Sequence, residues 1–278
     1  MLKLADARLL EDRDLARVRS LLEADPVVAC MVASRIEDAG IHPRRLGGEL
    51  WGYGSTLEGL CFSGVNLVPL RGGRDAMRAF AERARRHRRV CSSLVGPSEQ
   101  VLALWDELAP EWGPAREVRA EQPLLVMSEP PQGRVDELVR PVRPDELDRY
   151  LPAAVAMFTE EVGVDPRGEG GTAGYRARVA ELIAAGRAFA RFENDEVVFK
   201  AEIGAMSRSV GQIQGVWVHP DRRGGGLGTA GTAAVADRLV RGMRRTASLY
   251  VNAFNVAARA AYHRVGFEQR GTFSTVLF

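Results

Sequence analysis

Apolar positions along the chain switch between a helical spacing and short runs closed by glycine, and the switches mark out the elements. In the first half, helical spacing predicts helices over Glu11–Glu23, Val27–Glu37, Asp75–Arg86 and Ser98–Leu108. Short apolar runs predict strands over Glu49–Tyr53, Leu60–Ser63, Asn66–Leu70, Cys91–Val95 and Leu124–Met127. The second half has a similar order. It opens with a strand at Leu138–Arg143, a helix at Asp145–Val162 broken by Pro152, a loop rich in breakers at Val164–Gly171, and a helix at Thr172–Ala185 stopped by Gly186. Strands Ala188–Glu193 and Glu196–Ala205 then flank an Asn194-Asp195 turn, followed by a strand at Gln212–Val218. Helix Leu227–Arg241, strand Ala247–Val251, helix Val256–Val265 and a closing strand at Thr272–Phe278 complete it. The repeated order predicts a structural duplication with little sequence identity. Ser128-Glu129-Pro130-Pro131-Gln132-Gly133 opposes helix and sheet pairing alike. It divides a first domain, 1–128, from a second, 134–278; the alternative is a surface loop within one long sheet.

A length of 278 residues suits two domains of ordinary size. The formal charge of +2 does not indicate a polyanion binder. The run Arg83-Ala84-Arg85-Arg86-His87-Arg88-Arg89 lacks the interleaved aromatics that stack on bases, so it reads as the solvated C-terminal end of a helix and nucleic acid is not expected. No apolar stretch reaches the roughly 20 residues that span a bilayer, and Met1–Arg8 has no signal-peptide pattern. Cys30, Cys61 and Cys91 are isolated, which suggests neither a disulfide framework nor a zinc site and points to a reducing cytoplasm. His42, His87, His219 and His263 show no metal-ligand spacing, and no metal is expected. Arginine supplies nearly all the basic side chains, Lys3 and Lys200 being the only lysines; with the alanine and glycine content this suggests a GC-rich bacterial genome.

The most informative segment is Val216-Trp217-Val218-His219-Pro220-Asp221-Arg222-Arg223-Gly224-Gly225-Gly226-Leu227-Gly228-Thr229. A strand stops at a proline, a glycine-rich turn follows, and a helix starts within it. Glycines bring backbone N–H groups close to a ligand, and a helix N-terminus adds unsatisfied donors and partial positive charge. Together they make a phosphate cradle to which Arg222 and Arg223 add charge. The bland alternative is a glycine-rich turn without a ligand. A dinucleotide site needs an acidic residue about 20 positions on, and no Asp or Glu occurs between Asp237 and Glu268. A P-loop lacks its Lys-Ser/Thr pair here.

Further on stands Leu249-Tyr250-Val251-Asn252-Ala253-Phe254-Asn255, continued by Val256-Ala257-Ala258-Arg259-Ala260-Ala261-Tyr262 and closed by His263-Arg264-Val265-Gly266-Phe267. Asn255 also suits a helix N-cap, and Tyr262 also suits packing against Phe267. The two segments together resemble the GNAT acetyltransferase superfamily. Arg223-x-x-Gly226-x-Gly228 is similar to its acyl-CoA pyrophosphate motif, and Tyr262-x-x-x-Gly266-Phe267 to its second signature. The resemblance covers Leu138 to the end and, with the repeated order, extends to two-domain actinobacterial members. It implies an α/β (α+β) fold of tandem GNAT-like domains, each a mixed, mostly antiparallel sheet flanked by helices. It further implies acetyl-CoA as substrate and a primary amine as acceptor in a ternary complex. The backbone of Gly224, Gly225, Gly226, Leu227, Gly228 and Thr229 with Arg223 would hold the pyrophosphate. Val216, Trp217, Val218, Asn252, Asn255 and Ala258 would line the pantetheine arm, and Tyr262 would assist the leaving thiolate.

In many members a glutamate on the strand before the loop serves as base; here that strand carries Gln212 and Gln214. Glu160, Glu161 and Glu202 are the replacements considered, with a water chain as another, and a non-catalytic acyl-CoA sensor is the rival reading. Transfer of a longer acyl group and a homodimer are left open. In the first half, Val68-Pro69-Leu70-Arg71-Gly72-Gly73-Arg74 lacks the glycine pattern. The first domain is therefore expected to be degenerate and not to bind coenzyme A.

Overall fold

The computed structural model describes residues 6–86, 88–168 and 171–278. The expectations resting on Met1–Ala5, His87 and Glu169–Gly170 lie outside the described residues. In chain order the elements begin with β1 (Arg8–Leu9), α1 (Leu15–Ala24), α2 (Pro26–Ala39), α3 (Pro43–Leu46), β2 (Gly48–Tyr53), β3 (Gly59–Gly64) and β4 (Asn66–Arg71). There follow α4 (Arg74–Arg85), β5 (Ser93–Pro97), α5 (Ser98–Trp112), β6 (Glu117–Met127), β7 (Arg140–Pro141), α6 (Leu147–Val162) and α7 (Thr172–Ala184). The chain closes with β8 (Ala188–Glu193), β9 (Glu196–Met206), β10 (Val210–Val218), α8 (Leu227–Asp237), β11 (Thr246–Tyr250), α9 (Val256–Val265) and β12 (Glu268–Leu277). The fold is mixed α/β with mostly antiparallel strands flanked by helices.

Two compact units share the chain, but not as 1–128 followed by 134–278. The first takes residues up to Leu124 together with Tyr250–Phe254 and Arg270–Phe278; the second takes Leu125–Leu249 and Asn255–Gln269. The reason is strand pairing. β12 lies antiparallel to β5, with Phe273 opposite Pro97 and Leu277 opposite Ser93. The buried Gln122 ties these returning segments to the first unit: its carbonyl accepts from Thr275 Oγ1 at 2.6 Å and its amide donates to Asn252 Oδ1 at 2.8 Å.

In the first unit the strand order is β1-β2-β3-β4-β5-β12-β6. Side chains alternate across a strand, so neighbouring residues enter different cores. Leu50, Phe62, Val68 and Val95 join Val18, Val32 and Ile36 of α1 and α2. Trp51, Cys61, Leu67, Leu94 and Val276 join Phe80 and Leu104 of α4 and α5. Asp25 caps α2 by accepting from the Val28 N–H, and Pro26 sits in its first turn, where no N–H is needed.

The second unit has the order β11-β10-β9-β8-β7. Asn194 and Asp195 both take left-handed angles, which matches the tight turn expected between β8 and β9. Tyr150, Ala154 and Met157 of α6 pack with Val179 and Ile183 of α7 over Ala188, Ala190, Val197 and Trp217. Gly231 lets α8 approach β9; a Cβ there would come within 2.6 Å of the Phe199 ring. Pro152 does not break α6. It removes one hydrogen bond near the start of a helix that tertiary packing holds. The helix expected to Arg241 leaves α geometry at Asp237 and ends in a π-type turn, Arg238–Gly242. Among the described residues no helix is long and apolar enough to cross a membrane.

Two outcomes are expected. Val276 is fully buried in the core beneath α4 and α5, so Val276→Ala should cost about 2 kcal/mol in urea unfolding, with faster amide exchange in β5. Glu146, 1 % exposed, accepts from Arg140 at 2.7 and 2.8 Å and from the Arg143 N–H at 2.9 Å. The Arg140 hydrogen bonds first, then the Arg143 N–H and both guanidinium charges, outweigh burial and hold its carboxyl at about 2, against 4.5 for a free glutamate. Its stabilising contribution is therefore complete above about pH 4.5 and lost as pH falls towards 2. Glu146→Gln should lower stability at neutral pH, and its deficit against the unaltered protein should shrink across that window.

Candidate functional site

β10 and β11 pair in parallel only where Val210–Gln212 face Thr246–Ser248. Beyond Gln212 the strands part. On its other side β10 shifts register against β9 between Gln214 and Trp217. Gly215 sits in this bulge with φ +57°. A side chain there would be strained and crowded: a Cβ would lie 2.9 Å from Met157 Cε and 3.2 Å from Lys200 Nζ. The bulge bends β10 and leaves the edge at Val216–Val218 without a strand partner on the β11 side.

β10 runs out at His219, and Pro220–Arg222 form one 3-10 turn. Gly224 and Gly226 then take φ +78° and +84°, and Gly226 caps α8. No side chain caps this helix, so the N–H groups of Leu227, Gly228 and Thr229 point out of its end without intrahelical partners. A Cβ on Gly224 or Gly226 would meet nothing within 4 Å, so the space over the loop is open. Arg223 is held beside it: its Nε donates to the Val218 carbonyl at 3.1 Å and its Nη2 to Glu160 Oε2 at 2.7 Å. Glu160 Oε1 also accepts from Trp217 Nε1 at 3.0 Å. One carboxylate thus links α6, β10 and the glycine loop.

The free edge of β10, the glycine loop and α9 line a cavity of about 490 Å³. Val216, Trp217 and Val218 form one wall, and Arg223, Gly224, Gly226, Leu227, Gly228 and Thr229 form its end. Asn255, Ala258 and Tyr262 face them from α9, and Glu160 closes the rim. Asn255 caps α9, its Oδ1 accepting from the Ala258 N–H at 3.1 Å. Tyr262 is 7 % exposed, packs edge-on to Phe267, and has no hydrogen-bond partner for its hydroxyl among the described residues. Burial, then the charge of Glu161, push its phenol well above the ordinary tyrosine value, so it stays protonated.

Four expected residues do not line this cavity. Asn252 belongs to the first unit and is engaged by Gln122. Gly225 lies in the exposed middle of the loop. Glu161 reaches the site through its charge on Tyr262. Glu202 is buried beneath the bulge, its Oε2 3.6 Å from where a Gly215 Cβ would stand. Its Oε1 accepts from Lys200 Nζ at 2.7 Å and from the Tyr150 hydroxyl at 3.0 Å. Burial raises its carboxyl, but the Lys200 charge and hydrogen bonds from Lys200, Tyr150 and Gln214 outweigh it and hold it below the ordinary value. Lys200 and Tyr150 escaped the sequence reading. The available signal was a lysine two residues before Glu202 in an otherwise apolar strand.

Comparison with known proteins divides the chain in sequence rather than by compact unit. Residues 48–150 match a domain of unknown function, DUF4081, and residues 198–276 match FR47-like protein. A mycothiol acetyltransferase of Kocuria rhizophila is 41% identical over 63 residues, 23% of this chain and 21% of that protein. The match thus spans about a fifth of the length of this curated relative. A GNAT-family acetyltransferase from Colwellia psychrerythraea superposes with a TM-score of 0.58 at 11% identity, covering 98% of this chain and 99% of its own. A tandem GNAT protein from the clavulanic acid biosynthesis pathway gives 0.56 at 14% identity, covering 98% of each chain. At these identities the likeness establishes the fold. The chain has the fold of tandem GNAT proteins, with a C-terminal part that matches FR47-like protein and an N-terminal part that matches the domain of unknown function.

Proposed function

We propose that the second unit is an acetyl-CoA-dependent N-acetyltransferase in which a primary amine attacks the thioester directly, both substrates being bound together. The observation that carries the reading is convergence. Phosphate donors, an unpaired strand edge and a buried phenol face one cavity. The N–H groups of Leu227, Gly228 and Thr229, with Arg222 and Arg223, suit a pyrophosphate. The edge at Val216–Val218 suits the amides of a pantetheine arm, and an N–H there can stabilise the oxyanion formed on the carbonyl. As the nitrogen–carbon bond forms and the carbon–sulfur bond breaks, Tyr262 donates a hydrogen bond to the departing thiolate. A thiol ionises near 8.5 and a phenol near 10, so with the phenol raised further the proton stays on Tyr262 and the thiolate is stabilised as such.

The amine's proton goes to Glu202. This carboxylate is ionised and buried beneath the bulge, outside the cavity lining and behind Met157 and Lys200, so water relays the proton to it. Glu160 is committed to Trp217 and Arg223, which suits a role in positioning the loop. The rival reading, an acyl-CoA sensor without turnover, is favoured by Gln214, which stands opposite Glu202 on β10 and cannot accept a proton. The mycothiol acetyltransferase relative supports transfer, and an amine is the acceptor class proposed.

Two outcomes are expected. Gly226→Val places a branched side chain at φ +84° in the open cradle, so calorimetry should find acetyl-CoA binding weakened by about tenfold or more. Absence of binding by the unaltered protein at millimolar ligand would sink the reading. Tyr262→Phe and Glu202→Gln should each lower thiol release in the presence of an amine panel by about 10–100-fold, with acetyl-CoA affinity within about twofold of the original. Acetyl-CoA binding with no thiol release for any amine would favour the sensor.

A further inference from the structure

The first unit contains a cavity of its own, about 520 Å³ in volume. It is not a remnant of the strand-split site. In this unit β4 and β5 pair in parallel only at Asn66 and Leu67, and they part towards Leu70–Arg74. The cavity lies at the opposite end of both β4 and α4, where the Ser63–Val65 turn meets Arg83, Ala84 and Arg88–Cys91.

Its floor is apolar and aromatic. Trp51, Leu67 and Cys91 are buried there, and Trp112 stands half-exposed at one side. Its rim carries two of the exposed large hydrophobics, Val65 at 54% and Val90 at 79%. Exposed apolar groups around a concave surface mark a place for another molecule.

Charge then selects that molecule. Arg83 and Arg85 do not simply face solvent at a helix end. Arg83 pairs with Glu49 at 3.2 Å and Arg85 with Glu111 at 3.0 Å. Glu49 also accepts from Trp51 Nε1 at 2.6 Å, so the carboxylate in the cavity wall is already neutralised. Arg88 and Arg89 are exposed at the rim, and neither meets a carboxylate among the described residues. The guanidinium of Arg89 is 4.2 Å from the Phe278 ring centroid and 5.8 Å from that of Trp112. Ring faces hold it at the edge, leaving N–H groups for an anion.

We infer that this cavity binds a small organic anion whose flat apolar body rests against Trp112 and the buried floor and whose acidic group meets Arg88 and Arg89. A carboxylate, sulfonate or phosphate satisfies the chemistry equally. The expected first unit is degenerate with respect to coenzyme A; this assignment gives it a ligand at a different place in the same fold.

The test uses the full chain and the fluorescent probe 8-anilinonaphthalene-1-sulfonate, with its uncharged relative N-phenyl-1-naphthylamine. The sulfonate should saturate at one equivalent, quench tryptophan emission, and bind at least about tenfold more tightly than the uncharged probe. Arg88→Glu with Arg89→Glu should weaken it by at least about tenfold, with only a small fall in thermal midpoint from the lost Arg89 ring contacts. Equal affinity for the two probes, an unaltered affinity in the double variant, or the absence of saturable binding would overturn the assignment. So would displacement of the probe by coenzyme A, which would put it in the second unit's cleft. None of these results depends on whether the second unit transfers an acyl group.

Discussion

A strand that parts from its neighbour must do something with the N–H and C=O groups it frees, because unpaired backbone groups away from water are costly. In the second unit this happens just beyond Gln212, and the rest of the site is arranged around it. The bulge at Gly215 steers β10 away from β11. Its positive φ and the closeness of Met157 and Lys200 leave room for no side chain. α9 then lies on one side with the Tyr262 hydroxyl, unpartnered among the described residues, and the uncapped N-terminus of α8 stands at the end with N–H groups its helix cannot satisfy.

The pair Lys200–Glu202 belongs to the same constraint. Two opposite charges buried one strand away from a cleft give little net stability, because desolvation offsets their attraction. Their position is informative instead. Tyr150 from α6, Lys200 and Gln214 all hydrogen-bond a single carboxylate under the bulge. The network fixes α6 against β9 and β10 at the point where α6 also sends Glu160 to the glycine loop. One helix thereby holds both the buried charge and the loop.

What was legible in the sequence was local. The hairpin at Asn194-Asp195 and the helix Val256–Val265 depend on turn and capping chemistry within a few residues, and they stand where expected. The glycine loop is read equally well, since strand end, turn and helix start are contiguous. Long-range pairing was not legible. β6 begins at Glu117, ahead of the apolar run at Leu124–Met127, in a stretch where exposed Val118 and Ala120 alternate with half-buried Glu117 and Arg119 and no apolar run marks a strand. The resemblance places Asn252 along the pantetheine arm with Asn255, yet Gln122 draws it into the first unit. Glu202 could be singled out as an acid in an apolar strand; its partner Tyr150, 52 positions away, could not.

The return of Arg270–Phe278 to β5 has a consequence for how the protein is made. The first unit's sheet lacks an inner strand until the last residues of this sequence leave the ribosome. During synthesis β5 therefore offers an open edge while the whole second unit is still emerging. Domains usually mature in order from the N-terminus; here the unit that holds β5 closes only after the strands of the second unit have been made and β12 arrives.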